Sequence, residues 1–446
     1  MEKTMIRIEP DRYVGPVKPV NGVGQPPMVG ALNDWGMMHY LQEAGIPYSR
    51  LHDVGGWLGG GLYVDIPNVF PDFDADENDP RNYRFAYTDS LMKALADNGV
   101  EPFYRLGVTI ENFADKEGLP PLRIFPPKDY AKWARICEHV IRHYTEGWAG
   151  GFRMKIDHWE IWNEPENKPE VEKNLMWRAP FSEYIRFYGM VAPYLKGKFP
   201  HLKIGGYASC GFYAVEGCGG KERAASPRTI HLMNCFKDFL AAARDGGWPL
   251  DFFSYHQYDQ PGNGAKQLAY ARRMLDEHGF CNTKLVCDEW LCDCGVEMLG
   301  TARQAAGIAA MLAIFQNGPC DAAMVYDARC NIGDYSPLFN PLTLKPHRAY
   351  YVFCAFNELR RLGKAVEVSV KGGDEAGILT VAARGTDGRL AAFIVNYATE
   401  STPVSITGGI GTPCCRIIDD THVYEEVAVP SELPPNAVLL VEWPGA

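Results

Sequence analysis

The chain has 446 residues, of which 46 % are hydrophobic and 22 % charged, with a net charge of −11. That is an ordinary globular composition, long enough for one large domain of the barrel type plus a small one. The acidic balance without any Lys/Arg cluster argues against nucleic acid as a partner, and no apolar run approaches the ~18 residues of a membrane span.

The opening MEKTMIRIEPDRY lacks the apolar core of a signal peptide. Thirteen cysteines, an odd number with no CxxC pair, read as reduced thiols, so a cytoplasmic location is expected. The tightest group, Cys287, Cys292 and Cys294, fits no common zinc spacing and reads as incidental thiols. The sequence leaves the oligomeric state open, a homo-oligomer included.

Strand-like runs rich in β-branched and aromatic residues follow in chain order: MVGAL (28–32), PYSRLHD (47–53), EPFYRLG (101–107) and DHWEIWN (157–163). HLKIGGY (201–207), LDFFSYHQY (250–258), TKLVCDE (283–289) and AAMVYDA (322–328) complete a set of eight. Amphipathic stretches lie between and after them, at 34–45, 87–99, 126–147, 182–197, 229–245, 264–279, 301–316 and 346–361. Eight strand–helix units predict an α/β fold, a (β/α)8 TIM barrel over residues 20–361. A doubly wound sheet fits less well, because no GxGxxG turn follows the first strand. After Gly363 short alternating segments separated by Gly, Asp and Pro predict an antiparallel β-sandwich over 362–446. TMIRIEP also alternates, so residues 1–19 are assigned to that accessory domain.

In such a barrel, functional residues gather at the C-terminal strand ends. The fourth strand ends in Trp162-Asn163-Glu164-Pro165, where the proline halts pairing as a carboxylate emerges. The seventh ends in Asp288-Glu289, of which strand alternation lets one face the site. The sixth offers His256 and Tyr258, and the second Arg50, His52 and Asp53. Read alone, NEP is a common turn and His256 a core histidine. Together these are the parts for glycoside hydrolysis by two carboxyl groups. Trp57, Tyr63, Phe70, Phe73 and Trp177 could stack on sugar rings or pack loops onto the barrel. Glu160, inside the fourth strand, reads as a buried structural acid.

These segments resemble glycoside hydrolase family 39 of clan A, the family of β-xylosidases and α-L-iduronidases. SRLHD, HWEIWNEPE, DFFSYHQY, LVCDEW and the helix LTLKPHRAYYVFCAFNELRRLG carry the resemblance. It implies a retaining β-xylosidase-like hydrolase without a cofactor, acting on an oligosaccharide or glycoside. Glu164 would be the acid/base, Glu289 the nucleophile and Asn163 the partner of the sugar 2-hydroxyl, with Arg50, His52, His256 and Tyr258 around the ring. Two carboxylates ~5 Å apart repel by roughly 3 kcal/mol at an effective dielectric of ~20, which would lift Glu164 to about 6. The sequence departs from the family pattern at Arg105, where a Glu is usual, and at Tyr326 and Asp327, where a Trp is usual. Those positions and Trp57 are the candidates for recognising the terminal sugar, with a uronide, arabinoside or galactoside as alternatives. A second cation near Arg50 would suit a uronate, while pairing of Arg105 with Asp53 or Glu111 would make it scaffolding. A catalytically silent carbohydrate-binding protein is the rival from another class.

Overall fold

A computed structural model describes residues 3–28, 36–54, 63–110, 123–218, 226–372 and 377–445. Strand β1 (Thr4–Pro16) precedes eight parallel strands that close into a barrel. These are β2 (Gly22–Gly24), β3 (Tyr48–Leu51), β4 (Glu101–Leu106), β5 (His158–Ile161), β6 (Lys203–Ser209), β7 (Phe252–Gln257), β8 (Lys284–Trp290) and β9 (Ala322–Tyr326). Closure comes from β2, whose Gly22, Val23 and Gly24 pair with Met324, Val325 and Tyr326.

The first strand is the one misplaced by sequence. The run MVGAL is not it: Met28 is outside any strand, and 29–32 lie outside the described residues. The strand is GVG, a segment with almost no β-propensity. Gly22 is required by closeness, since a Cβ there would stand 2.9 Å from the Ala323 carbonyl oxygen. The other seven strands coincide with the predicted segments, β6 running two residues past its segment to Ser209 and β8 one past its own to Trp290.

Helices surround the barrel with the expected signals at their starts. Asp129, Ser226 and Thr301 each accept a hydrogen bond from the backbone N–H three residues on, capping the helices Tyr130–Thr145, Pro227–Asp245 and Ala302–Asn317.

A short ribbon, β10 (Phe339–Asn340) with β11 (Lys345–Pro346), leads into the closing helix Arg348–Leu362, after which eight more strands, β12 (Lys364–Lys371) to β19 (Ala437–Trp443), join β1 in a nine-stranded sheet. It is antiparallel except for one pair, β1 beside β15 (Thr402–Thr407), which runs parallel. The sheet curls over its own core of Ile6, Ile8, Val366, Ile394, Leu439 and Val441. Strand β14 (Leu390–Asn396) shows why it packs where it does. Ala392 and Ile394 face that inner core, while Ala391, Phe393 and Val395 face the barrel helices. Phe393 meets Phe356 of the closing helix edge-on at 5.8 Å.

Candidate active site

The chain leaving β5 is bent by two left-handed residues, Trp162 (φ 72°) and Glu164 (φ 42°). Such φ values are uncommon outside glycine and persist only where neighbours hold them. Here Trp162 N–H donates to the Leu106 carbonyl (2.8 Å) and Glu164 N–H to the Ala208 carbonyl (3.0 Å), tying the bend to both flanking strands. The Trp162 indole donates to the Met176 carbonyl at 2.8 Å and packs edge-on against Trp177. Glu164 is thus placed by backbone geometry rather than by a free rotamer.

His256, from the end of β7, links the two predicted carboxylates. Its Nδ1 is 2.8 Å from Glu164 Oε1 and 3.6 Å from Glu289 Oε1. One oxygen of Glu164, one of Glu289 and a ring nitrogen of His256 all lie within 4.8 Å of one another. Asn167 Nδ2 donates to the other Glu164 oxygen at 2.6 Å. Glu289 accepts from Tyr258 Oη at 2.6 Å and from Arg50 Nη1 at 3.1 Å. Arg50 is itself buried and donates through Nη2 to Asn163 Oδ1 (2.6 Å) and through Nε to Glu160 Oε2 (2.8 Å). The first of these bonds turns the Asn163 amide so that its Nδ2 faces away from the guanidinium. Arg50, Asn163, Tyr258 and Glu289 are therefore hydrogen-bonded together, and the bonded pair Glu164–His256 meets them across the 3.6 Å His256–Glu289 contact.

The expected rise of the Glu164 pKa is overturned. Burial alone would raise it, but the bond and charge of His256, with Arg228 and Asn167, hold it down at about 2. Burial pulls the His256 pKa down, yet Glu289 and Glu164 on either side carry it above the ordinary imidazole value. Burial and the Glu164 charge raise that of Glu289. The Glu164 charge raises Glu289 as foreseen, but on Glu164 itself the bond and charge of the imidazole outweigh any rise.

The strict alternation expected at Asp288-Glu289 also fails. Tyr255 pairs with Cys287 and His256 with Glu289, so the register skips Asp288. This bulge turns both carboxyls inward, and Arg50 Nε lies 2.7 Å from Asp288 Oδ2. Asp288 is wholly buried.

The remaining predicted residues separate. His52 is buried with Nε2 3.3 Å from Asp53 Oδ1, and burial with Arg105 and Arg50 keeps it neutral. Tyr326 donates to Asp53 Oδ2 at 3.1 Å, and burial pushes the Asp53 carboxyl up to about 7. Asp327 is turned into its own loop, accepting from Arg329 Nε at 2.6 Å and from Ser336. Arg105 is fully buried on Asp65 (2.6 Å), not on Asp53, and Glu111 lies outside the described residues. Trp57 also lies outside them. Tyr63, Phe70 and Trp177 are core residues. All thirteen thiols are free.

Sequence reasoning misses Asn167, Arg329 and Tyr335. Tyr335 is 42 % exposed and packs edge-on against Tyr258 (5.2 Å) and Tyr326 (5.9 Å), at the rim of the cluster. Nothing in the loop sequence announces it, although the i, i+3 spacing of Asn167 from Glu164 could have been noticed.

The sequence resembles a beta-xylosidase of Geobacillus stearothermophilus, 27 % identical over 224 residues. That match covers 49 % of this chain and 39 % of the relative, so it spans well under half of the relative's length. Among solved structures, a glucosidase from Croceicoccus marinus superposes with a TM-score of 0.77 at 20 % identity, covering 99 % of this chain and 98 % of that one. A GH39 beta-xylosidase from Caulobacter crescentus gives 0.68 at 18 % identity, covering 99 % of each. At those identities the two structures speak for the fold. The family model described as glycosyl hydrolases family 39 matches residues 5–335, the span that carries the barrel and its cluster, and the chain belongs to that family.

Proposed function

We propose that the protein is a retaining glycoside hydrolase that removes a terminal sugar by double displacement, with β-xylosides as the leading substrate class. The observation that carries this is the approach of Glu164 and Glu289 to within 4.8 Å across His256. Retaining enzymes hold their carboxyls ~5–5.5 Å apart, whereas inverting ones leave ~6.5–9.5 Å for a water.

In this reading Glu289 attacks the anomeric carbon. Arg50 and Tyr258 aim their N–H and O–H at its oxygens and favour the anion needed for attack. The Glu164–His256 pair holds one proton, which passes through Glu164 to the leaving oxygen. The same carboxylate then takes a proton from the water that releases the sugar. Asn163 Nδ2 donates to the 2-hydroxyl, a bond that strengthens as the oxocarbenium-like state develops. The xyloside assignment rests on the curated relative, and Asp53, Tyr326 and Tyr335 are the side chains proposed to choose the sugar. The free thiols fit a reducing, cytoplasmic setting. Among the described residues no helix is long and apolar enough to cross a membrane.

The test is hydrolysis of a panel of aryl glycosides by the wild type, Glu164→Ala and Glu289→Ala. Azide should rescue Glu289→Ala and give a glycosyl azide of inverted configuration. Rescue of Asp288→Ala instead would reassign the nucleophile. Absence of hydrolysis by the wild type across the whole panel would favour a sugar-binding protein that has kept the barrel.

A further inference from the structure

Three buried carboxyl groups converge on one guanidinium. Arg50 lies 2.7 Å from Glu160 and from Asp288, and 3.1 Å from Glu289. None of the three acid side chains is more than 10 % exposed, and Arg50 is 1 % exposed. His256, from β7, faces the same group with Nε2 3.7 Å from Asp288 Oδ1, while its Nδ1 is bonded to Glu164. With every acid ionised, Arg50 and a protonated His256 would face Glu160, Asp288, Glu289 and Glu164. A surplus of two negative charges would be buried, and isolated buried charge is among the costliest arrangements a protein can hold.

The donors decide which acid gives up its charge. Glu160 accepts from Arg50 Nε on one oxygen and from Ser254 Oγ (2.5 Å) on the other. Glu289 accepts from Arg50 Nη1 and Tyr258 Oη. Asp288 has no hydrogen-bond donor on either oxygen among the described residues, because the nearby Arg50 Nε–H is directed to Glu160. One Asp288 oxygen and one Glu160 oxygen nevertheless lie 2.7 and 2.8 Å from the same Arg50 Nε, which sets the two acids side by side. Two carboxylates at that range repel, whereas an acid and a carboxylate bond.

We propose that Asp288 is the un-ionised member of this cluster, donating its proton to Glu160 and so acting as a positioning residue for Arg50 on Glu289. Burial and the Glu160 charge push the Asp288 carboxyl well above its usual range. Burial opposes the charge on Glu160, but Arg50 and the bonds from Asp288 and Ser254 hold its pKa below the ordinary value. The bulge at Asp288 is what brings this proton into the barrel: a regular strand would face Asp288 and Glu289 oppositely. Arg50 is then shared between two anions instead of three, and Glu289 keeps a full partner.

The proposal rests on the reading of Glu289 as nucleophile for its consequence, but not for its protonation state. The infrared difference spectrum between wild type and Asp288→Asn, taken near pH 8, reads the proton directly. A protonated-carboxyl C=O band that shifts in D2O should be present in the wild type and in Glu289→Ala, and absent from Asp288→Asn. Because an amide N–H can replace the acid O–H, Asp288→Asn should keep kcat/KM within about threefold with an unshifted acid limb. Asp288→Ala should lower kcat about tenfold, the effect of one lost buried hydrogen bond, with KM little changed. Absence of the band, or a downward shift of the acid limb in Asp288→Asn, would show that Asp288 is ionised and overturn the proposal. If Asp288→Ala does not fold, the band and the limb in Asp288→Asn still decide it. Activity surviving in Glu289→Ala would sink the nucleophile assignment while leaving the infrared result standing.

Discussion

His256 Nδ1 stands 2.8 Å from Glu164 and 3.6 Å from Glu289, so one imidazole serves both carboxylates. Glu289 carries a pKa above the ordinary glutamate value, and as the proposed nucleophile it would have to be ionised to attack. The acid limb of kcat/KM should therefore lie above ~4.5. The proton shared by Glu164 and His256 is lost only above the ordinary imidazole value, so the alkaline limb should lie above ~6.5. In His256→Ala the proton has only Glu164 to sit on. The alkaline limb should then move to lower pH, costing more than about tenfold in kcat/KM near pH 8. A pH–rate profile unchanged in the variant would refute this.

Tyr258→Phe removes the 2.6 Å bond to Glu289 while keeping the ring. A donor to a charged group is worth ~1.5–3 kcal/mol, so kcat/KM should fall roughly ten- to a hundredfold. Burst kinetics with an activated aryl glycoside should place the loss in glycosylation.

Glu166 is buried, accepts from Ser209 Oγ and Cys210 N–H, and has its second oxygen unpartnered among the described residues. Burial raises its pKa from 4.5 to about 7. The unfolded chain releases this proton first, so as pH rises from 4.5 to 7 the folded state loses stability, by about 3 kcal/mol in full. Glu166→Gln should be more stable than wild type near pH 8 and no more stable near pH 4. Urea unfolding at the two pH values checks it; an equal difference at both would contradict the sign.

Arg105 sits against Asp65, which also accepts from Thr109 N–H and Oγ and pairs with Arg123. Arg105→Ala should cost about 3–5 kcal/mol of stability, as breaking a buried pair does. It should leave the ratio of aryl uronide to aryl xyloside turnover unchanged. A selective fall in uronide turnover would make Arg105 a specificity residue after all.

Tyr335 presents a partly exposed ring beside Tyr258 and Tyr326. Tyr335→Ala should raise KM for aryl glycosides about two- to tenfold at nearly constant kcat, the size of a lost aromatic contact. A fall in kcat with KM unchanged would count against a binding role.

The barrel was legible because seven of its strands carry enough Val, Ile, Phe and Tyr to show against amphipathic helices. GVG was not, because its pairing comes from the closeness of β9 and not from propensity. Glu164 and Glu289 were legible because their strands place them at the barrel mouth. Which neighbours tune them was less so, since the upward pull on the His256 pKa depends on distances between strands far apart in sequence. The bulge at Asp288 likewise has no signature in LVCDEW. Arg105 could be suspected as scaffolding, but its partner Asp65 sits in a loop whose course the sequence does not reveal.

The double-sided burial of β14 bears on how this chain could be shortened. Phe393 and Val395 finish the outer surface of the barrel helices, and β1 ties the start of the chain into the same sheet. A version cut after Gly363 would leave Phe356 and its neighbours as a bare apolar face, prone to self-association. The barrel is not a detachable module, and shortening the chain would require redesigning that face first.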